Sequence, residues 1–98
     1  MLYPNLEGKQ FNHGYYKDKH IPLIKRRLGK SLIGAHIEKG LSGITPGTEP
    51  PFICAGHLIF NSVEEYRCAF GPHAEEIRED IPKYTDIQPI ILISEIIE

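Results

Sequence analysis

The chain has 98 residues, and its 11 lysines and arginines against 13 aspartates and glutamates give a formal net charge of -2. This length predicts one domain with roughly 5,600 Å² of accessible surface as a folded monomer. The near-neutral charge argues against a nucleic-acid partner, and no apolar run is long enough for a membrane span or a signal peptide. We therefore expect a cytoplasmic protein with no nucleic-acid or membrane partner.

The two cysteines, Cys54 and Cys68, lack the CxxC spacing of redox and zinc motifs. Two cysteines are also too few for the disulfide framework of a small secreted domain. We expect both thiols to be reduced and buried.

A helix is predicted between Asn12 and Gly29. Asn12 is a favoured N-cap residue, and apolar side chains then recur at helical intervals until Gly29 ends the run. Pro22 lacks the N–H that would bond to the carbonyl of Asp18, so the helix should bend or open locally around His20. The predicted defect therefore lies beside a histidine.

The remaining elements give the order strand, helix, strand, strand, helix, strand. Ser62 begins a capping-box pattern that predicts the start of a second helix, and residues 74–81 add a further helical stretch. The isoleucine-rich C-terminal run favours a strand, because β-branched residues prefer extended structure. The strands are predicted at residues 2–4, 32–41, 52–60 and 88–97.

This order predicts an α+β fold, the ferredoxin-like βαββαβ domain, in which a four-stranded antiparallel sheet carries both helices on one face. Residues 52–60 and 88–97 are apolar on both faces, whereas a sheet with one solvated face should alternate. Because two helices cover only one face, we predict a homodimer that packs through its sheet faces.

His20 is the first candidate for chemistry, because it falls near the middle of the apolar arc of the first helix. Burial lowers the pKa of an imidazole, and a neutral ring can accept or donate a proton near neutral pH. The alternative is a core histidine whose ring is held by a backbone carbonyl.

His36 and His57 face each other if the loop between the two central strands is centred between Pro46 and Gly47. If His20 leaned over the same sheet face, three imidazoles could bind zinc or ferrous iron. The chain has no HExxH motif or other short chelating spacing. We therefore predict no metal site and no cofactor.

Several motifs resemble the EthD family, named for ethyl tert-butyl ether degradation. The resemblance spans nearly the whole chain, and its most specific part is Tyr15-Tyr16 followed by His20-Ile21-Pro22-Leu23. It implies a dimeric α+β barrel, formed when two ferredoxin-like sheets pack together. Relatives of this architecture include small monooxygenases, muconolactone isomerases and haem-binding peroxidases. The other matching motifs are Tyr3-Pro4-Asn5, Phe11, Gly71-Pro72-His73, Asp80-Ile81-Pro82 and Tyr84-Thr85-Asp86.

The resemblance also implies a class of function. Some members of the family resemble accessory proteins of degradative operons, and fungal members resemble cofactor-free decarboxylases or oxygenases of aromatic polyketides. We therefore expect a small apolar ligand, of aromatic or ether type, between helices and sheet, with proton-transfer, decarboxylation or oxygenation chemistry in a degradative pathway. The alternative is a non-catalytic accessory or binding protein whose dimer is structural.

The predicted site centres on His20 as the proton-transfer group and Tyr16 as the hydroxyl that orients the ligand. The family resemblance adds Asp80, which lies in one of its later motifs. The residues predicted to contact the ligand are Phe11, Tyr15, Leu23, His57, Phe60 and Asp80.

Overall fold

The computed structural model describes all 98 residues as a three-stranded antiparallel sheet with helices packed against it. The strands are β1 (Leu2–Pro4), β2 (Gly34–Lys39) and β3 (Phe52–Ile59), in the spatial order β1-β3-β2. The helices are α1 (His13–Tyr15), α2 (Ile21–Leu28), α3 (Val63–Phe70) and α4 (Ala74–Asp80). Single 3₁₀ turns follow the last three helices at Gly29–Ser31, Gly71–His73 and Ile81–Lys83. The predicted α+β class is confirmed.

The first helical run contains the irregularity that its sequence predicts. Asn12 caps α1, with its side-chain oxygen accepting the N–H of Tyr15 at 3.0 Å. Between α1 and α2, the segment Tyr16–His20 forms a π-helical turn. Pro22 provides the cause, because it cannot donate to the carbonyl of Asp18 and the preceding turn widens. The π-helical turn places a buried side chain at each of its two ends.

One buried cluster lies between the helices and the sheet. A Cβ on Gly56 would overlap the hydroxyl of Tyr16, so only glycine lets this ring pack against β3. Successive strand residues point to opposite faces, so His57 points away from the helices. The cluster contains Tyr3, Tyr16, Ile21, Ile24, Leu28, Cys54, Ile77, Tyr84 and Ile87.

The helices of the second half of the chain follow their local sequence signals, but one cysteine is not buried as expected. Ser62 caps α3 by accepting the N–H of Glu65 at 3.0 Å, as the capping-box pattern predicts. Cys54 is buried, but Cys68 is exposed, so its predicted burial is wrong. Tyr66 and Phe70 lie four residues apart and make the inner face of α3, which turns Cys68 outward.

The structure corrects the predicted four-stranded sheet to three strands. Within residues 88–97, Ile90 pairs with Leu2 through two hydrogen bonds of 2.8 and 2.7 Å, and no further ladder forms. β1 has only three residues, and because the pairing is antiparallel, residues 92–97 lie beyond the N-terminal end of β1. The isoleucines favour extended backbone, but a strand also needs a partner for its hydrogen bonds.

None of the helices is both long enough and apolar enough to cross a membrane.

Candidate functional site

His20 and Asp80 form a buried pair where the π-helical turn meets the end of α4. The Nδ1 atom of His20 lies 2.9 Å from Oδ2 of Asp80. Burial lowers the pKa of His20, and the hydrogen bond to Asp80 offsets this only in part. Burial alone would raise the pKa of Asp80, but its hydrogen bonds from His20 and Tyr15 outweigh that and lower it. An ionised carboxylate only accepts, so Nδ1 carries the proton and Nε2 keeps its lone pair.

Two further groups contact the other carboxylate oxygen of Asp80, Oδ1. The hydroxyl of Tyr15 donates to Oδ1 at 2.9 Å, and Nζ of Lys83 lies 3.5 Å from the same atom. The hydrogen bond to Asp80 is the main reason that the pKa of Tyr15 is raised. The last turn of a helix disfavours an anion, so these donors stabilise Asp80 against the dipole of α4.

Aromatic rings surround His20. Its imidazole stacks on Tyr16, with ring centroids 5.5 Å apart and planes at 17°, and contacts Tyr84 at 4.7 Å. The hydroxyls of Tyr84 and Tyr3 lie 2.6 Å apart, and Phe11 packs edge-on against both rings. Burial raises the pKa of Tyr16 and of Tyr84, so both phenols are neutral. The imidazole therefore lies beside a cluster of aromatic rings, here called the cage, with Asp80 as its charged neighbour. The rings of the cage are those of Tyr3, Phe11, Tyr16 and Tyr84.

Two polar atoms in this cage have no hydrogen-bond partner in the chain, Nε2 of His20 and the hydroxyl of Tyr16. Buried polar atoms are nearly always paired, and leaving one unpaired costs about 1–3 kcal/mol. The two atoms belong to residues at opposite ends of the π-helical turn, whose rings stack. They are the places in the cage where a polar group of a ligand would gain a hydrogen bond.

A groove of about 370 Å³ lies next to the cage, between residues 10–12 and 82–86. Phe11 and Tyr84 line the groove, and both rings also belong to the cage. His20 does not line the groove, but Tyr84 both lines it and contacts the His20 ring.

The structure brings five of the predicted site residues together and leaves three apart. The ring of Phe60 packs on Tyr66, and Leu23 is half-buried on α2 outside the buried cluster. His57 lies on the open sheet face, so within one chain it cannot contact a ligand held by His20. The residues that meet are Phe11, Tyr15, Tyr16, His20 and Asp80.

The pairing of His36 with His57 is confirmed by the register of β2 and β3, and their ring centroids lie 4.4 Å apart. The possibility of three convergent imidazoles is wrong, because His20 packs with Tyr16 on the opposite face of the sheet. The two strand histidines therefore belong to a separate surface.

Tyr84 and Lys83 are the members of the site to which the sequence patterns assigned no role. Lys83 is three residues after Asp80 and Tyr84 is four, a spacing that places all three on one side of a helical turn. That spacing could have indicated that Lys83 and Tyr84 lie near Asp80. The contact of Tyr84 with His20 depends on tertiary packing and has no local signal.

Neither the protein-family models nor the curated proteins give a match to this chain. Among solved structures, the chain is similar to the crystal structure of an EthD-like protein from Ralstonia eutropha JMP134. The two sequences are 41% identical, the alignment covers 99% of this chain and 87% of that chain, and the TM-score is 0.94. Identity of this extent, together with the Tyr15-Tyr16 and His20-Ile21-Pro22-Leu23 motifs, shows that the chain belongs to the EthD-like family.

Proposed function

We propose that this protein binds a small aromatic or ether-type compound of a degradative pathway and transfers a proton at Nε2 of His20. The observation that carries the proposal is the unpaired, buried Nε2 atom of a histidine whose other nitrogen is bonded to Asp80. A core histidine held by backbone carbonyls would have no such arrangement. The proton transfer itself needs no group beyond the chain and its ligand, whereas an oxygenation would also consume dioxygen.

The roles of the residues follow from their contacts. Asp80 fixes the Nδ1–H tautomer and would stabilise the imidazolium that forms when Nε2 accepts a proton. The hydroxyl of Tyr16, which has no partner in the chain, would donate a hydrogen bond to an oxygen of the ligand. Proton transfer is a step common to decarboxylation and oxygenation of electron-rich aromatic compounds, so the proposal accommodates both.

The ligand would enter from the groove between residues 10–12 and 82–86. The groove has a volume of about 370 Å³, which suits a small molecule, and Phe11 and Tyr84 offer ring faces for stacking. Rotation of Tyr84 would then bring the ligand to Nε2 of His20. The proposed ligand therefore has an aromatic ring and at least one hydrogen-bonding oxygen.

The experiment is deuterium exchange of an aryl ketone with acidic α-hydrogens in D₂O, followed by proton NMR. His20→Asn keeps a donor near Asp80 but removes the Nε2 base, and we expect it to slow exchange by at least about 100-fold. His73→Asn, on the turn after α3 and outside the cage, is the matched control. Equal exchange in the parent and His20→Asn would contradict the proposal, and ketone binding without exchange would support the accessory-protein alternative instead.

The proposed assembly is a homodimer through the open sheet face. The single chain exposes 6955 Å², against the roughly 5,600 Å² expected for a compact monomer of this mass. The excess exceeds the ~800 Å² that each partner buries in a standard interface. Six large aliphatic side chains of the C-terminal segment are exposed in the single chain, and a second copy would cover them: Ile90, Ile91, Leu92, Ile93, Ile96 and Ile97.

Sedimentation of the protein at micromolar concentration tests the dimer. We expect a dimer for the parent chain and a monomer for Ile93→Lys, because a charge in the covered segment would remain desolvated and unpaired. Ile44→Lys, in a fully exposed loop, is the control and should stay dimeric. A parent chain that sediments as a stable monomer would contradict the assembly.

A further inference from the structure

His36, Glu38 and His57 form a cluster on the sheet face that the helices leave open. His36 and Glu38 are alternate residues of β2 and point to the same face, and His57 is the cross-strand partner of His36. Their candidate ligand atoms all lie within 4.8 Å of one another. Strand register alone therefore assembles two imidazoles and one carboxylate at one point.

The carboxylate of Glu38 faces both rings. Its Oε1 atom lies 2.9 Å from Nε2 of His57, and its Oε2 atom lies 3.7 Å from Nε2 of His36. Ligand atoms around a tetrahedral zinc ion are about 3.3 Å apart, given metal–ligand distances near 2.0–2.1 Å. Two of the observed distances fall on either side of that value and all lie within 4.8 Å, so the three atoms would reach a common centre by rotation about the side-chain bonds.

The side chains are free to make that adjustment. The side-chain exposures of His36, Glu38 and His57 are 56%, 61% and 44% in the single chain, and the side-chain contacts recorded for the three are with one another. The backbone beneath them is held by the paired ladder of β2 and β3. In the single chain this site has a rigid base and mobile donors, whereas in the proposed dimer it lies on the sheet face that the second copy covers.

We propose that His36, Glu38 and His57 bind a divalent transition-metal ion, with zinc as the reference ion. Two imidazole nitrogens exclude magnesium and calcium, which prefer oxygen ligands, and favour zinc, nickel, cobalt or copper. Two histidines with one glutamate are also a ligand set of catalytic zinc sites, in which the fourth position holds water. The Nε2–H of His57 donates to Glu38, so metal binding at Nε2 would displace that hydrogen bond and move the proton of the neutral ring to Nδ1.

This site is independent of the His20 cage. It lies on the opposite sheet face, shares no residue with the cage and needs no ligand from a second copy. The outcome of the proton-transfer experiment therefore does not bear on it.

Zinc titration of the untagged protein against a chromophoric chelator tests the site. We expect saturation at no more than one ion per chain, with His36→Ala and His57→Ala each weakening binding by at least about tenfold. Glu38→Gln, which leaves the two rings in place, should weaken it as well. Circular dichroism of each variant checks that the fold is retained.

His73→Ala is the matched control, because His73 lies on the turn after α3 and outside the cluster. It should bind zinc as the parent does. With cobalt in place of zinc, the parent should show the visible absorption of a tetrahedral nitrogen and oxygen site, and His57→Ala should lose it. The proposal is overturned if the parent shows no saturable zinc binding, or if His73→Ala weakens binding as much as the cluster variants.

Discussion

Nδ1 of His20 and Oδ2 of Asp80 lie 2.9 Å apart, although the two residues are 60 positions apart in the sequence. This bond joins the π-helical turn to the end of α4, and it is shielded from solvent. The same bond sets the tautomer of His20, so one contact links the packing of the helices to the chemistry of the site.

Asp80→Asn removes the charge that holds His20 and Tyr15. A hydrogen bond to a charged group contributes about 1.5–3 kcal/mol, so the free energy of unfolding should fall by that amount. Urea denaturation measures it. Glu79→Gln removes a neighbouring exposed charge and should change stability by less than about 0.5 kcal/mol. Equal effects of the two substitutions would contradict the special position of Asp80.

The stability should fall as the solution becomes acidic. The pKa of His20 is lowered by burial in the folded chain, so between that value and about 6.5 the unfolded chain binds more protons. The free energy of unfolding should therefore decrease as the pH drops below about 6.5. Asp80 has a lowered pKa as well, and its contribution is lost at lower pH, as its carboxylate becomes protonated.

Urea denaturation at a series of pH values checks this dependence, with His20→Asn as the reference. The difference in unfolding free energy between the two proteins isolates His20 from the other histidines. The unfolding free energy of the parent should rise relative to that of His20→Asn as the pH increases from the folded pKa of His20 to its unfolded pKa. A difference that does not vary with pH would mean that burial does not lower the pKa of His20.

Tyr15→Phe removes one of the donors to Asp80 but keeps the ring. Because the hydrogen bond from Tyr15 helps to lower the pKa of Asp80, that pKa should rise in the variant. Carbon NMR of the Asp80 carboxyl group during an acid titration measures the change. Tyr66→Phe is the control, since Tyr66 packs on Phe60 and Phe70 away from Asp80. An unaltered Asp80 titration in Tyr15→Phe would show that this hydrogen bond is not formed.

Gly56→Ala should disturb the cage from the sheet side. The new Cβ would overlap the hydroxyl of Tyr16, and overpacking of a core typically costs about 1–3 kcal/mol. A Cβ on Gly71 would meet no neighbour, so Gly71→Ala should be neutral or slightly stabilising. Thermal unfolding of both variants provides the comparison. If Gly56→Ala unfolds at the parent temperature, the close approach of Tyr16 to β3 is wrong.

Local rules predicted the parts of the fold that depend on neighbours in sequence. The cap at Asn12, the opened turn before Pro22 and the cap at Ser62 all arise from groups within a few residues. The predicted strand at residues 88–97 fails for the opposite reason. Its isoleucines satisfy the propensity for a strand, but a ladder needs a partner, and β1 begins at Leu2, so the residues that follow Ile90 pass its N-terminal end.

In the candidate site too, the features set by neighbours in sequence were predicted, and those set by tertiary contacts were not. Helical spacing was enough to predict the burial of His20, which is 0% exposed. Its bond to Asp80 depends on tertiary packing, and only the family resemblance brought that residue into the prediction. Glu38, the third member of the proposed metal cluster, follows His36 by two residues along β2, and this spacing places both on one sheet face.

Nitrogen NMR of the His20 ring tests the central claim most directly, because it reports which nitrogen carries the proton and at what pH the second one binds. The account predicts that at pH 7 the ring is neutral, with its proton on Nδ1 and a pKa below that of an exposed histidine. Addition of a bound aryl ketone should shift the Nε2 resonance. A proton on Nε2, or a ring protonated on both nitrogens at pH 7, would contradict the account.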